Sequence, residues 1–312
     1  MRILVTGSHG FVGQHLMRCL GERGHDVLQA DRRLGPSELA FDVTDAEAVF
    51  AAIEAERPDA IAHLAAQAFV PDSQEDPGAT FDVNVYGTLN VLQGARRMAR
   101  GRPGPRVLVV SSAEIYGMQP SEAYPLRESA PPLPRNPYAA SKVAAEALAL
   151  AFAHSYGVDA VVTRAFNHIG PGQDERFAVA DFAAQLARIA SGGTPQLVVG
   201  DLDACRDFLD VRDVCAAYAL LLEGNGTAGE IYNVCSGVAT SMKEVLRRLI
   251  MIARVPVEVR DDPERMRAAD IPLSVGTAAK LRDATGWSPA IPLGATLRAV
   301  YDDARSRVAV AT

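Results

Sequence analysis

The sequence predicts an α/β protein built on a doubly wound, mainly parallel sheet, with a smaller mixed α/β domain toward the carboxyl end. Three observations carry this. Short β-branched runs alternate with segments of helical period, a glycine-rich turn joins the first strand to the first helix, and the alternation loosens after about Phe166. At 312 residues the chain is long enough for two cores, and 48% hydrophobic with 22% charged residues is an ordinary globular balance. A net charge of −7 gives no general attraction to phosphate backbones or anionic membranes. No apolar run approaches the ~18 residues of a membrane span. Neither nucleic acid nor membrane is expected as a partner.

Strands are expected over Ile3 to Val5, Asp26 to Gln29, Ala60 to Leu64, Arg106 to Val110, Ala160 to Thr163, Gln196 to Val199 and Glu230 to Val234, each a short apolar run with β-branched residues. Helices are expected between them over Val12 to Gly21, Asp45 to Glu56, Thr80 to Met98, Tyr138 to Tyr156 and Val179 to Ser191, where alanine and leucine recur at helical spacing. This places residues 1–165 in the first domain, with contributions from about 204–236, and assigns 166–203 and 237–312 mainly to the second. The proline-rich stretch Pro120 to Pro137 reads either as an ordered loop at the rim of a cleft or as a plain surface connection. The amino-terminal stretch reads as a strand and not as an export signal, so a cytoplasmic location is expected. Cys19, Cys205, Cys215 and Cys235 are scattered without a C-x-x-C pair, which predicts reduced thiols and no metal.

Gly7, Gly10 and Gly13 form G-x-x-G-x-x-G between the first strand and a helix beginning near Phe11. Glycine permits a tight turn and close approach of backbone to a diphosphate, and the helix amino terminus offers unpaired N–H groups. Asp31 ends the second strand 18 positions beyond Gly13, near the spacing of a ribose-binding acid, so the sheet is expected to be Rossmann-type. Asp31 favours NAD, whereas Arg32 and Arg33 could pair with the 2′-phosphate of NADP. Asp42 could reach the adenine amino group, and helix capping at Asp45 explains the same stretch equally well.

Tyr138 and Lys142 lie four apart at the start of a helix, hence on one face. Eight tyrosines and three lysines in 312 positions would give far fewer than one Y-x-x-x-K by chance, so the pair carries information. An ammonium beside a phenol favours the phenolate and should lower its pKa, making Tyr138 a usable proton donor or acceptor. Ser111 and Ser112 end the strand from Arg106, at the carboxyl edge of the sheet, where a hydroxyl can steady a substrate carbonyl. Glu114 is a possible second acid or base. His63 and His168 read as hydrogen-bonded structural residues, and Arg127, Arg135 and Arg164 carry no assignment.

These motifs closely resemble the extended short-chain dehydrogenase/reductase family in its nucleotide-sugar branch. The likeness runs along nearly the whole chain: TGSHGFVG from Thr6, HLAAQ from His63, NVYGT from Asn84, SSAEIYG from Ser111 and YAASK from Tyr138. It implies that Ser112, Tyr138 and Lys142 are catalytic, with Glu114 beside them. It implies NAD(P)H held by Gly7, His9, Gly10, Phe11, Val12, Gly13, Asp31, Arg32, Asp42, Val43, Leu64, Ala65, Ala66, Gln67, Asn84, Tyr138 and Lys142. Further segments, RNPY from Arg135, FNHIGPGQ from Phe166, RDFLDV from Arg206, YNVCSG from Tyr232 and TGW from Thr285, are similar to those of members that reduce GDP-linked 4-keto-6-deoxy sugars. That likeness implies such a sugar nucleotide as substrate, contacted by Ser112, Glu114, Asn167, Arg206, Arg265 and Arg267, and a homodimer. The alternatives are a GDP-mannose 4,6-dehydratase, a nucleotide-sugar 4-epimerase, or a non-catalytic NAD(P) sensor. The sensor should lack Ser112, Tyr138 and Lys142, all of which are present.

Overall fold

The computed structural model describes residues 1–33, 35, 39–99, 103–265 and 271–311. In chain order its strands are β1 (Arg2–Thr6), β2 (Asp26–Ala30), β3 (Ala60–His63), β4 (Arg106–Ser112), β5 (Ala160–Ala165), β6 (Asn167–Ile169), β7 (Gln196–Val199), β8 (Cys205–Asp210), β9 (Ile231–Val234), β10 (Ala239–Ser241), β11 (Glu258–Asp261) and β12 (Leu273–Ser274). The helices are α1 (Phe11–Glu22), α2 (Ala46–Glu56), α3 (Val70–Glu75), α4 (Pro77–Phe81), α5 (Gly87–Met98), α6 (Pro137–Tyr156), α7 (Ala178–Ala190), α8 (Val211–Leu222), α9 (Met242–Ala253), α10 (Ala279–Thr285) and α11 (Leu293–Ala311).

Six strands form one parallel sheet in the order β2-β1-β3-β4-β5-β9. The order reverses between β1 and β3, which makes their carboxyl ends the switch point where a Rossmann-type sheet binds its ligand. Side chains alternate faces along each strand. Ile3 and Val5 therefore pack with Leu16, Leu20 and Val214 on one side, while Leu4, Ile61 and Val109 pack with Phe50, Ile53 and Leu92 on the other. Burial on both faces explains why these strands read as continuous apolar runs.

The second core lies outside this sheet, where Phe182, Leu186, Leu197, Val245, Leu249, Leu297 and Tyr301 cluster. Gln196–Val199, expected as a strand, pairs with β11 instead of the main sheet. β8 likewise pairs with β6, β10 and β12, although α8 directly after it covers the main sheet against α1.

The single helix expected over Thr80 to Met98 is interrupted. A wide π-type turn spans Asp82–Tyr86 between α4 and α5. The Asn84 side chain inside that turn accepts from the Gln67 amide at 2.9 Å and donates to the Gln67 carbonyl at 3.0 Å. Gly87 then follows so close to Val43 that a Cβ would lie 2.7 Å from its Cγ2. Sequence periodicity cannot register such a turn, because it is set by a partner 17 residues away.

Candidate active site

The glycine turn fits a dinucleotide diphosphate. Gly7 has φ of 69°, a left-handed conformation that favours glycine, and a Cβ there would lie 2.8 Å from the Ala65 nitrogen. A Cβ on Gly13 would lie 2.3 Å from the Gly7 carbonyl oxygen, so only glycine lets α1 start this close to the turn. α1 carries no side-chain cap and no acid in its first turn, which leaves its positive end to an anion. Leu64, Ala65, Ala66 and Gln67 follow β3 beside the turn, where the Ala65 amide donates to Thr6 Oγ1 at 3.3 Å. His63 is buried between Thr6 Oγ1 at 2.9 Å and Thr88 Oγ1 at 3.2 Å. Burial, aided by Lys142, pushes it down to about 3, so it is a neutral structural group.

At the end of β2, Asp31 is already engaged. One carboxylate oxygen accepts from Arg33 N and Nε, both at 3.0 Å, and the other from Arg33 Nη2 at 3.2 Å and the His9 amide at 3.1 Å. Burial pushes the Asp31 carboxyl up, but the bonds from Arg33 and His9 outweigh it and hold the group below its ordinary range. Arg32 and Arg33 keep side-chain exposures of 73% and 59%, which presents two guanidinium groups at the ribose end. Asp42, its side chain 41% exposed, accepts from Thr44 N and Oγ1 and lies 3.9 Å from the Arg32 guanidinium, while Asp45 caps α2, so the two acids of this stretch divide the local work.

At the carboxyl edge, Ser112 ends β4 and accepts from the Glu114 amide at 3.1 Å. Asn136 caps α6, with Pro137 in the first turn, which sets Tyr138 at the mouth of the helix. The Tyr138 amide donates to Ser73 Oγ at 3.2 Å, and Ser141 Oγ joins the Tyr138 carbonyl at 2.7 Å to Asn84 Nδ2 at 2.9 Å. Neither Ser73 nor Ser141 was anticipated; Ser141 adjoins Lys142 in the motif, and Ser73 carries no local signal.

The expected lowering of the Tyr138 pKa is reversed. Burial pushes the phenol up to about 12 against a hydrogen bond from Ser112, and the Glu114 charge adds to the rise. Lys142 Nζ lies 5.9 Å from the ring centroid and donates to the Val110 carbonyl at 2.8 Å. Burial decides the direction, and the phenol keeps its proton.

Of the expected sugar-nucleotide contacts, Asn167 is exposed at the start of β6 beside Phe208. Arg206 donates through Nη1 to the carbonyls of Ile271 at 2.6 Å and Cys205 at 3.0 Å. Its neighbour Asp207 is committed elsewhere, to Ser236 and Gly237. Arg265 binds Asp181 at 2.6 Å and the Val198 carbonyl at 3.2 Å. Arg267 lies outside the described residues. Phe11 from the glycine turn stacks on His168 with centroids 6.2 Å apart, joining the turn to β6 across the cleft.

A dinucleotide cradle at the switch point, facing a buried tyrosine and lysine at the same sheet edge, defines a NAD(P)-dependent oxidoreductase of the extended short-chain type. The sequence pattern of the GDP-mannose 4,6 dehydratase family matches residues 4–300, and the chain belongs to that family. It is 43% identical to GDP-6-deoxy-D-mannose reductase of Pseudomonas aeruginosa, over 98% of both chains. It is 33% identical to GDP-6-deoxy-D-talose 4-dehydrogenase of Aggregatibacter actinomycetemcomitans, over 92% of each. Among solved structures, RMD from Pseudomonas aeruginosa complexed with NADPH superposes with a TM-score of 0.88 at 42% identity, covering 98% of this chain and 99% of that one. UDP-glucose 4-epimerase of Thermus thermophilus with NAD gives 0.85 at 34%, covering 98% and 99%.

Proposed function

We propose that the protein reduces the C4 keto group of GDP-4-keto-6-deoxy-D-mannose to give GDP-D-rhamnose, with NADPH as reductant. Reduced nicotinamide, when bound, supplies the hydride for C4. The protein's share is to deliver the proton and fix the carbonyl. Tyr138, which carries its proton at working pH, is the group we assign to donate it to the forming alkoxide. The Ser112 hydroxyl steadies the same oxygen, and the Lys142 ammonium supports the tyrosine. Asn167, Arg206 and Arg265 are the groups we assign to the sugar nucleotide.

The observation that carries this reading is the 43% identity to a GDP-6-deoxy-D-mannose reductase over 98% of both chains, and the likeness to RMD complexed with NADPH supports the same choice. The arginine clamp on Asp31 supports NADPH over NADH, because a carboxylate already accepting four hydrogen bonds offers little to a ribose 2′-hydroxyl while two arginines face a 2′-phosphate. We also read the chain as a cytoplasmic homodimer, the exposed Tyr86 ring beside α5 supporting the dimer.

The test supplies purified protein with GDP-4-keto-6-deoxy-D-mannose and NADPH. We expect nicotinamide absorbance to fall mole for mole with formation of a GDP-6-deoxyhexose. Conversion of GDP-mannose to a keto product without added reductant would instead make the protein a dehydratase.

A further inference from the structure

α6 begins with a gap in its own hydrogen bonding that another element fills. The first amides of a helix have no partner within it and must find one elsewhere. Pro137 has no N–H, the Ala139 amide donates to the capping Asn136 Oδ1 at 2.8 Å, and the Ala140 amide donates to the Asn136 carbonyl at 3.0 Å. That leaves the amide of Tyr138, a buried residue, and its acceptor is Ser73 Oγ at 3.2 Å, from α3, 65 positions earlier in the chain. Ser73 is fully buried. Its hydroxyl proton is committed to the Val70 carbonyl at 2.6 Å, which leaves its lone pairs for Tyr138.

The neighbours of Ser73 are fastened to the second domain. Phe69, which precedes α3, meets Phe177 edge to face with centroids 5.6 Å apart. The Arg176 guanidinium lies 4.8 Å from the Phe69 ring centroid and pairs with Asp72 at 3.1 Å. Phe177 leads directly into α7, whose Val179, Phe182 and Leu186 belong to the second core. We propose that Ser73 is a positioning residue for the reduction: it holds the Tyr138 backbone at the spacing from the second domain that α3, clasped by Arg176 and Phe177, sets. A local cap would steady the helix end equally well, but it would tie the tyrosine to its own helix alone. With Ser73 as acceptor, the start of α7 and the amide of the proton donor are joined through a single turn of α3. The kinetic consequence rests on the reductase reading, in which the sugar is presented to Tyr138 from the second domain and a misplaced donor costs rate. The hydrogen-bond chain does not rest on it.

Ser73→Ala removes the acceptor and only one heavy atom. We expect kcat to fall about threefold to tenfold, the worth of one ordinary hydrogen bond, while KM for both substrates stays within about twofold. Arg176→Ala, a change on the surface, should lower kcat by about twofold and lower it no further in the Ser73→Ala background. A second readout is independent of turnover. Tyrosine isotope-labelled at its amide nitrogen gives at most eight NMR signals, and Tyr138→Phe assigns one of them. Hydrogen exchange at that amide should quicken about threefold to tenfold in Ser73→Ala and by less in Arg176→Ala. Wild-type kcat in folded Ser73→Ala, a loss confined to KM or to thermal stability, or an equal effect of Arg176→Ala with and without Ser73 would overturn the proposal. If Ser73→Ala does not fold, Arg176→Ala decides, and wild-type kcat with wild-type exchange at Tyr138 would overturn it. Wild-type protein that turned over no sugar nucleotide would refute the reductase reading alone, and exchange at the Tyr138 amide would still decide this one.

Discussion

Replacing Gly13 with alanine tests the cofactor cradle at its tightest point. The new Cβ would stand 2.3 Å from the Gly7 carbonyl oxygen and 2.7 Å from that of Ser8, both backbone atoms that no side-chain rotation can move. Ordinary contact needs ~3.5 Å, so the turn must retreat by roughly 1 Å. The Gly7 carbonyl accepts from the Gly10 amide at 2.9 Å, and the Gly7 amide donates to Ala30 at 2.8 Å. A shift of that size bends or breaks both bonds at about 1 kcal/mol each and moves the amides that would face the diphosphate. The total is ~2–3 kcal/mol, or roughly 30- to 150-fold weaker NADPH binding, read by fluorescence titration. Gly21, on the same helix with nothing within 4 Å of its missing Cβ, supplies the control. Gly21→Ala should leave binding unchanged and raise stability by about 0.5–1 kcal/mol. Wild-type NADPH affinity in Gly13→Ala would refute the cradle.

Further outcomes follow from the same geometry. Tyr138→Phe removes the proton donor and should lower kcat by about a hundredfold to ten-thousandfold while KM changes little, as steady-state kinetics would show. Arg33→Ala releases Asp31 and removes one guanidinium; NADPH affinity should fall about tenfold relative to NADH in paired titrations. His63, pushed down to about 3 by burial, binds a proton less readily in the folded chain than unfolded, so its contribution to stability is present above about pH 6.5 and lost on acidification. Urea unfolding should show about 2 kcal/mol of that loss between pH 6.5 and pH 5, and His63→Asn should flatten the slope.

Much of the first sheet was legible because β1, β3, β4 and β5 are buried on both faces and announce themselves as unbroken apolar runs. β7 looks alike in sequence, yet pairing is a non-local choice, and it joined β11 outside the main sheet. The glycine turn and the Tyr138–Lys142 pair were legible because each is a local pattern tied to a local geometry. Side-chain commitments over long separations were not. The engagement of Arg265 by Asp181, 84 residues away, and of Glu146 by Arg164 leaves no trace in spacing. The Tyr138 pKa runs against the expected direction because sequence shows the neighbouring lysine but not the burial that raises the phenol.

The most direct test of the central claim is a single turnover with NADPH carrying deuterium at the transferable position of the nicotinamide, followed by NMR of the product. Direct reduction at the Tyr138 site predicts one deuterium on sugar C4 of a GDP-6-deoxyhexose, with a solvent-derived proton on the oxygen, and no product from Tyr138→Phe on the same timescale. Product lacking deuterium at C4, or formed equally well without added nicotinamide, would contradict the account.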